Sequence, residues 1–318
     1  MGRSLGRYLS SRLLSLIPVL LGTSLVSFFL IRLVPGDPVV ALLGLEADET
    51  AIAALRVKLA LDQPLVVQYL TWLGRILTGD FGRSVQGGRE VLPLLLGALG
   101  PTALLSLAAL VISLIISIPA GIVAATHRNE PADYIASFIA LCGLSMPSFW
   151  LGVLLILAFS IHIPLLPSSG YVSPLVDVGA HLKHLVLPAL TLGAALAAAT
   201  MRMTRATMLE VLRTDYIRTA RAKGLSSRKV VWRHGLRNAQ IPIVTLLGIQ
   251  MGQLLGGVVI TETVFSWPGI GKLTVDAIFA RDYPVVQGAV LTTATLFVLI
   301  NLATDLVYTA IDPRVRYA

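Results

Sequence analysis

The chain has 318 residues, 55% of them hydrophobic and only 13% charged, with a mean hydropathy of +0.81. A soluble domain carries about a quarter charged residues, and one of this length could not hide so much apolar side chain, so a water-soluble fold is excluded. The net charge of +8 raises nucleic acid as a partner, but the basic residues cluster where membrane topology needs them, which removes that reading.

The first element is a span at about 12–32 behind a basic flank. Its apolar run, Leu13 to Ile31, is too long for a secretory h-region and no small-x-small cleavage pattern follows, so it is read as an uncleaved first crossing. A mixed-polarity region follows at 33–98, with two short helices expected at 48–61 and 64–77, divided by Asp62-Gln63-Pro64. Span two covers about 101–125. After His127-Arg128-Asn129-Glu130-Pro131 comes span three at 134–160, with a kink expected at Pro147. A proline- and glycine-marked loop leads to span four at 184–203, rich in small residues. The stretch 202–240 is strongly basic. Span five is placed at 241–262, a shorter excursion runs to about 283, and span six occupies 285–311. The expected fold is all-α, a polytopic membrane protein with six transmembrane helices. It has three parts: 1–32 as cytoplasmic N-terminus and first helix, 33–98 as an extracytoplasmic region, and 99–318 as the core of helices two to six.

Orientation follows from the cations. With the N-terminus inside, the segments 1–12, 126–133, 202–240 and 312–318 hold sixteen of the 25 Lys and Arg residues, which makes both termini cytoplasmic. The single cysteine, Cys142, excludes an intrachain disulfide framework. His127, His162, His181, His184 and His234 are scattered, and no Cys or Glu completes a metal site beside His181 and His184. A membrane-embedded metalloenzyme is therefore disfavoured.

The cytoplasmic loop 202–240 is helix-competent. Met208, Val211, Leu212, Ile217 and Ala220 recur at helical spacing between Met203 and Lys223, and Gly224 stands where a left-handed cap would end that helix. Ser226 or Ser227 can open a second short helix carrying Val230, Val231 and Trp232. A solvated loop that only sets topology is one reading. Its length and its aromatic favour a docking surface for a cytoplasmic partner.

The run Tyr216-Ile217-Arg218-Thr219-Ala220-Arg221-Ala222-Lys223-Gly224, then His234-Gly235-Leu236-Arg237-Asn238 and Pro242, resembles the cytoplasmic loop of permeases in the bacterial dipeptide/oligopeptide (peptide/nickel/glutathione) ABC importer family. Pro35-Gly36-Asp37-Pro38, Gly79-Asp80-Phe81-Gly82-Arg83-Ser84, Pro188-Ala189-Leu190-Thr191-Leu192, Phe265-Ser266-Trp267-Pro268-Gly269-Ile270-Gly271 and Asp312-Pro313-Arg314 match in family order across nearly the whole chain. The wider importer pattern Glu-Ala-Ala-x-x-x-Gly is met only at Ala220 and Gly224, a departure typical of the peptide branch. The resemblance implies a type I ABC importer transmembrane-domain fold. It also implies a second homologous permease subunit, two ATP-binding subunits and an extracytoplasmic substrate-binding protein as partners, in the bacterial inner membrane. On that basis Arg218, Ala220, Arg221, Ala222, Lys223, Gly224, His234, Arg237 and Asn238 form the ATPase-coupling loop.

This chain is expected to have no cofactor and no catalytic residue, with ATP and Mg on the partner subunits. The nearest decoy, Gly269-Ile270-Gly271-Lys272-Leu273, lacks the first glycine and the Ser/Thr of a phosphate-binding loop. Thr245, Gln250, Gln253, Asn301 and Asp305 are the candidate pathway residues, and Gly248, Gly252 and Gly256 suit close helix packing. Asp305 is either functional or near the interface. Trp267, Asp276 and Asp282 are candidates for an outer gate in the 263–283 excursion, which otherwise only connects two spans. Tyr69, Trp72 and Arg75 are candidates for binding-protein contact. Peptide is the expected substrate, with glutathione or nickel chelates as alternatives. An ion-coupled secondary transporter is the rival class, but it calls for inverted repeats or several intramembrane ionisable groups, and neither is present.

Overall fold

The computed structural model describes residues 62–311, together with residues 14, 16–29, 48 and 50. Expectations for the 48–61 helix, for 33–47 and for the terminus 312–318 lie outside the described residues, as do the side chains of Gln253 and Asp305. The described elements are α1 (Leu16–Phe29), α2 (Leu65–Leu77), α3 (Val91–Thr126), α4 (Pro131–Ser145), α5 (Ser148–Ile156), α6 (Val178–Val211), α7 (Asp215–Ala222), α8 (Leu236–Val264), α9 (Ile270–Phe279) and α10 (Tyr283–Ile311). Among the described residues there is no strand, only an isolated bridge between Arg83 and Glu90.

Three of these helices are long and apolar enough to cross a membrane: α3, α6 and Tyr283–Thr304 of α10. A fourth crossing arises if α4 and the segment Ser148–His162 count as one bent pair. Six crossings were expected. The first lies partly outside the described residues, and the fifth falls in α8, which contains side chains outside the description.

The third crossing also differs from expectation in kind. The kink foreseen at Pro147 is a break, with α4 and Ser148–His162 meeting at 105°. Met146 is extended (φ −87°, ψ 125°) because a following proline drives its predecessor out of the α region. Pro101, Pro119, Pro188 and Pro242 stay inside α3, α6 and α8, as transmembrane helices tolerate.

The described chain falls into two compact units. One contains the residues up to Gly100 with Gly269–Val298; its core is Val91, Leu95, Ala98, Ile270, Ala277, Val285 and Ala289. Within it Phe28 meets Tyr69 and Trp72 edge-on or tilted. The other contains Pro101–Pro268 and the described residues from Leu299 onward. Here α6 packs on α4, α5 and α8. Small residues set further approaches, of α6 to α3 and of α8 to α10. A Cβ on Gly193 would stand 2.9 Å from the Ala109 carbonyl oxygen, and one on Gly248 would overlap Thr304, so the packing foreseen for Gly248 is what α8 uses.

Candidate coupling hairpin and pathway residues

The expected single helix from Met203 to Lys223 is two helices. α6 ends at Val211, and α7 starts after Thr214, whose extended backbone (φ −72°, ψ 154°) and Oγ1 bond to the Val211 carbonyl (2.6 Å) break the run. α7 then buries only Ile217 and Ala220. They pack against Val230, with Leu212 at the edge, as a small apolar cluster. Gly224 ends the hairpin's first arm in the left-handed region, φ +77°, with open space where a Cβ would stand. The second arm is a single turn, Ser227–Lys229, followed by a π-helical turn, Val230–Gly235, that runs into α8. Ser226 precedes that turn but makes no side-chain cap bond.

The two arms are pinned at one point besides the apolar cluster. Asn238 Nδ2 donates to Tyr216 Oη at 2.6 Å, and that hydroxyl faces the His234 carbonyl at 3.4 Å. Gly235 packs on Met208, and Met208, fully buried, joins Ile122, Ala125 and Ala239, so the hairpin root is continuous with α3, α6 and α8. The charges face outward. Arg218 is 75% exposed beside a still more open Asp215 at 3.2 Å, and Arg221, Lys223 and Arg237 are exposed too. Ala222 is exposed, while His234 is half-buried. Trp232 is 47% exposed. The result is a short rigid helix offering guanidinium groups and an aromatic to solvent.

Among the described side chains, no hydrogen bond joins the pathway candidates to one another. Gln250 is buried, accepting from Thr200 Oγ1 (3.0 Å) and donating to the Leu196 carbonyl (3.2 Å), so it clamps α8 to α6. Thr245 bonds to its own helix at Ile241, and Asn301 is half-buried on α10.

In the second candidate group, Trp267 is fully buried. Its Nε1 donates to the Pro101 carbonyl at 2.9 Å, and its ring sits against Tyr171 and His181. Asp282 is buried, taking a bond from Ser84 Oγ and one from the Val85 amide at 3.2 Å. Asp276 pairs with Lys272 at 2.6 Å on the surface of α9. Tyr69 shares a hydrogen bond with Ser24 (2.8 Å), Trp72 lies in the aromatic group around Phe28, and Arg75 is exposed on α2. Among the described residues no cluster of His, Cys, Asp or Glu could hold a metal ion.

Two polar pairs have no counterpart in the sequence reading. Glu262 is fully buried and accepts from Thr102 Oγ1 at 2.6 Å. Asp133 takes both ends of the Arg205 fork, at 2.6 and 2.7 Å.

Residues 117–317 match the family model described as binding-protein-dependent transport system inner membrane component, and residues 5–93 match its N-terminal companion. The chain belongs to this permease family. It is 43% identical over 330 residues to the dipeptide transport system permease protein of Alkalihalophilus pseudofirmus, covering 98% of this chain and 99% of the relative. It is 45% identical over 310 residues to the glutathione transport system permease protein of Escherichia coli strain K12, with the same coverage. A solved structure of the MetNI methionine ABC transporter in an inward-facing conformation matches with a TM-score of 0.57 at 21% identity, over 69% of this chain and 96% of that one. That likeness establishes the type I importer fold.

The permease is thus a multi-pass inner membrane protein and a non-catalytic pore component of an ABC importer. Membership implies ATP-binding subunits and a substrate-binding protein as partners. The signal for the hairpin lay in local spacing. Asp133–Arg205 and Thr102–Glu262 join residues far apart in sequence, and nothing local announces them.

Proposed function

We propose that this permease forms half of the translocation pathway of an ATP-driven importer of di- or oligopeptides. It pairs with one homologous permease, two ATP-binding subunits that carry ATP and Mg, and an extracytoplasmic binding protein that delivers substrate. Both termini and the 212–240 hairpin face the cytoplasm, in keeping with the clustering of cations there. The observation that carries the reading is α7 itself: its apolar side is buried while Arg218, Arg221 and Lys223 stand in water, a shape suited to an acidic cleft on an ATPase subunit. Motion of that cleft would pass as rigid-body movement through the Met208 seam into α6 and α8. The dipeptide relative supports a peptide cargo, and the glutathione relative supports glutathione, itself a small peptide, as the second reading.

Uptake of a labelled dipeptide and of labelled glutathione, measured in cells whose partner ATPase is inactivated and in cells whose proton gradient is collapsed, tests the proposal. Loss with the first and survival with the second is expected; the reverse pattern identifies a secondary transporter. Gly224→Asp sharpens the test. The left-handed backbone strains a side chain by about 1–3 kcal/mol, and the new carboxylate opposes acidic groups in the cleft. Insertion should stay normal while transport and ATPase stimulation vanish; if both persist, the hairpin does not dock.

A further inference from the structure

Between α4 and α6 lies a cavity of about 320 Å³ that the transport reading leaves unused, lined by Ser137, Leu141, Arg202, Arg205 and Ala206. Its size is at the low end for small-ligand pockets, roughly 300–1,000 Å³. Its charges are unequal. Arg205 is spent on Asp133, which also takes a bond from Ser137 Oγ at 3.3 Å and one from the Asn129 amide at 3.1 Å. Arg202, one turn earlier on α6, is exposed and pairs with no carboxylate among the described residues. The pocket therefore keeps one net positive charge: two guanidiniums against one carboxylate.

The surroundings give its level in the membrane. α4 turns Tyr134, Phe138 and Leu141 outward, at 63, 66 and 55% exposure. A tyrosine in the first turn suits the boundary between acyl chains and headgroups, where Tyr and Trp are enriched. Apolar side chains then continue along the same helix towards the bilayer core. A cation at headgroup depth, in a half-open groove where Leu141 and Ala206 lie beside the guanidiniums, is complementary to one singly charged phosphodiester.

We propose that this groove is a binding site for an anionic phospholipid, with the phosphodiester against Arg202 and the acyl chains along the exposed face of α4. The Asp133–Arg205 pair shapes the floor and removes the second charge, so that one phosphate and not two is matched. The inference rests on the membrane reading of the chain, but not on the docking role of the hairpin.

Native mass spectrometry of the assembled importer tests it, without ATP or substrate, so that a failure of coupling leaves the result interpretable. With phosphatidylglycerol and phosphatidylcholine as probes, the wild-type complex should retain phosphatidylglycerol preferentially, and millimolar inorganic phosphate should not displace it. Arg202→Gln should lower that retention roughly tenfold, the scale of one charge-assisted hydrogen bond. Ala206→Trp keeps every charge and fills the groove from an exposed position, so it should lower retention even if Arg202→Gln fails to assemble. Retention unchanged in Ala206→Trp, equal retention of phosphatidylcholine, or stripping by inorganic phosphate would each overturn the proposal, the last by pointing to a soluble anion.

Discussion

At the end of the Pro101–Pro268 unit that holds Trp267, several polar groups are buried and paired with one another. At the end that holds α7, a few apolar side chains support a helix whose charges face water. The Trp267 indole donates to Pro101 and is boxed by Tyr171 and His181. His181 Nδ1 in turn donates to the Val172 carbonyl at 2.7 Å, and Thr102 binds Glu262. The hairpin has Ile217, Ala220 and Val230 and two side-chain bonds between its arms, both at the Tyr216 hydroxyl. Removing a buried polar partner strands the other and is costly, so the first end is fixed in one arrangement. The second keeps its shape through little burial and spends its surface on display. That division suits a part that must remain rigid and a part that must be gripped by another protein.

The sharpest way to break the contrast is at Trp267. Replacement by Ala removes a fully buried aromatic, a loss on the order of 3–5 kcal/mol, and should abolish or strongly lower the thermal midpoint of the purified protein. Trp267→Phe keeps most of the volume but removes the indole N–H bond to the Pro101 carbonyl, for about 0.5–1.5 kcal/mol. If Phe behaves as wild type, the hydrogen bond contributes nothing and the site is held by packing alone.

Next in size is Asp133→Asn. One side chain of the pair is 3% and the other 29% exposed; a fully buried pair would cost about 3–5 kcal/mol to break, and the exposure of Arg205 reduces this to about 2 kcal/mol. Thermal melts of the purified wild type and variant should differ on that scale, and coincident curves would show that the pair does not contribute.

These residues also mark what the sequence could disclose. Helix positions, the basic hairpin and the Gly224 cap were readable because each is a local signal: apolar length, cation clustering, or one residue at a turn. The break at Met146–Pro147 was read as a mere kink, since a proline inside an apolar run looks the same whether neighbouring helices straighten it or not. Gln250 read as a pathway residue because a glutamine in a span has two uses, lining a pore or joining helices, and only the Thr200 and Leu196 contacts distinguish them. Trp267 was read as an outer-gate candidate from the glycine and proline around it, which fix a turn but not the direction of the indole. Asp133 and Arg205 had no signal at all, being 72 residues apart.

The smallest expected effect lies on the displayed side of the hairpin. Arg218 is 75% exposed and Asp215, its neighbour at 3.2 Å, is 91% exposed; such a pair contributes about 0–1 kcal/mol. Arg218→Ala should therefore leave the thermal midpoint of the isolated permease unchanged. Its effect belongs to the complex, where the guanidinium is available to an acidic group on the ATPase subunit. Stimulated ATP hydrolysis should fall, and the deficit relative to wild type should shrink as salt is raised, because screening removes from the wild type what the substitution removes from the variant. Ile217→Ser is the counterpart on the buried side: it should lower stability and coupling together, at any salt. If Arg218→Ala lowers the midpoint, or its deficit does not respond to salt, then α7 is a structural strut like the Trp267 end, and the two ends of the unit differ in composition but not in purpose.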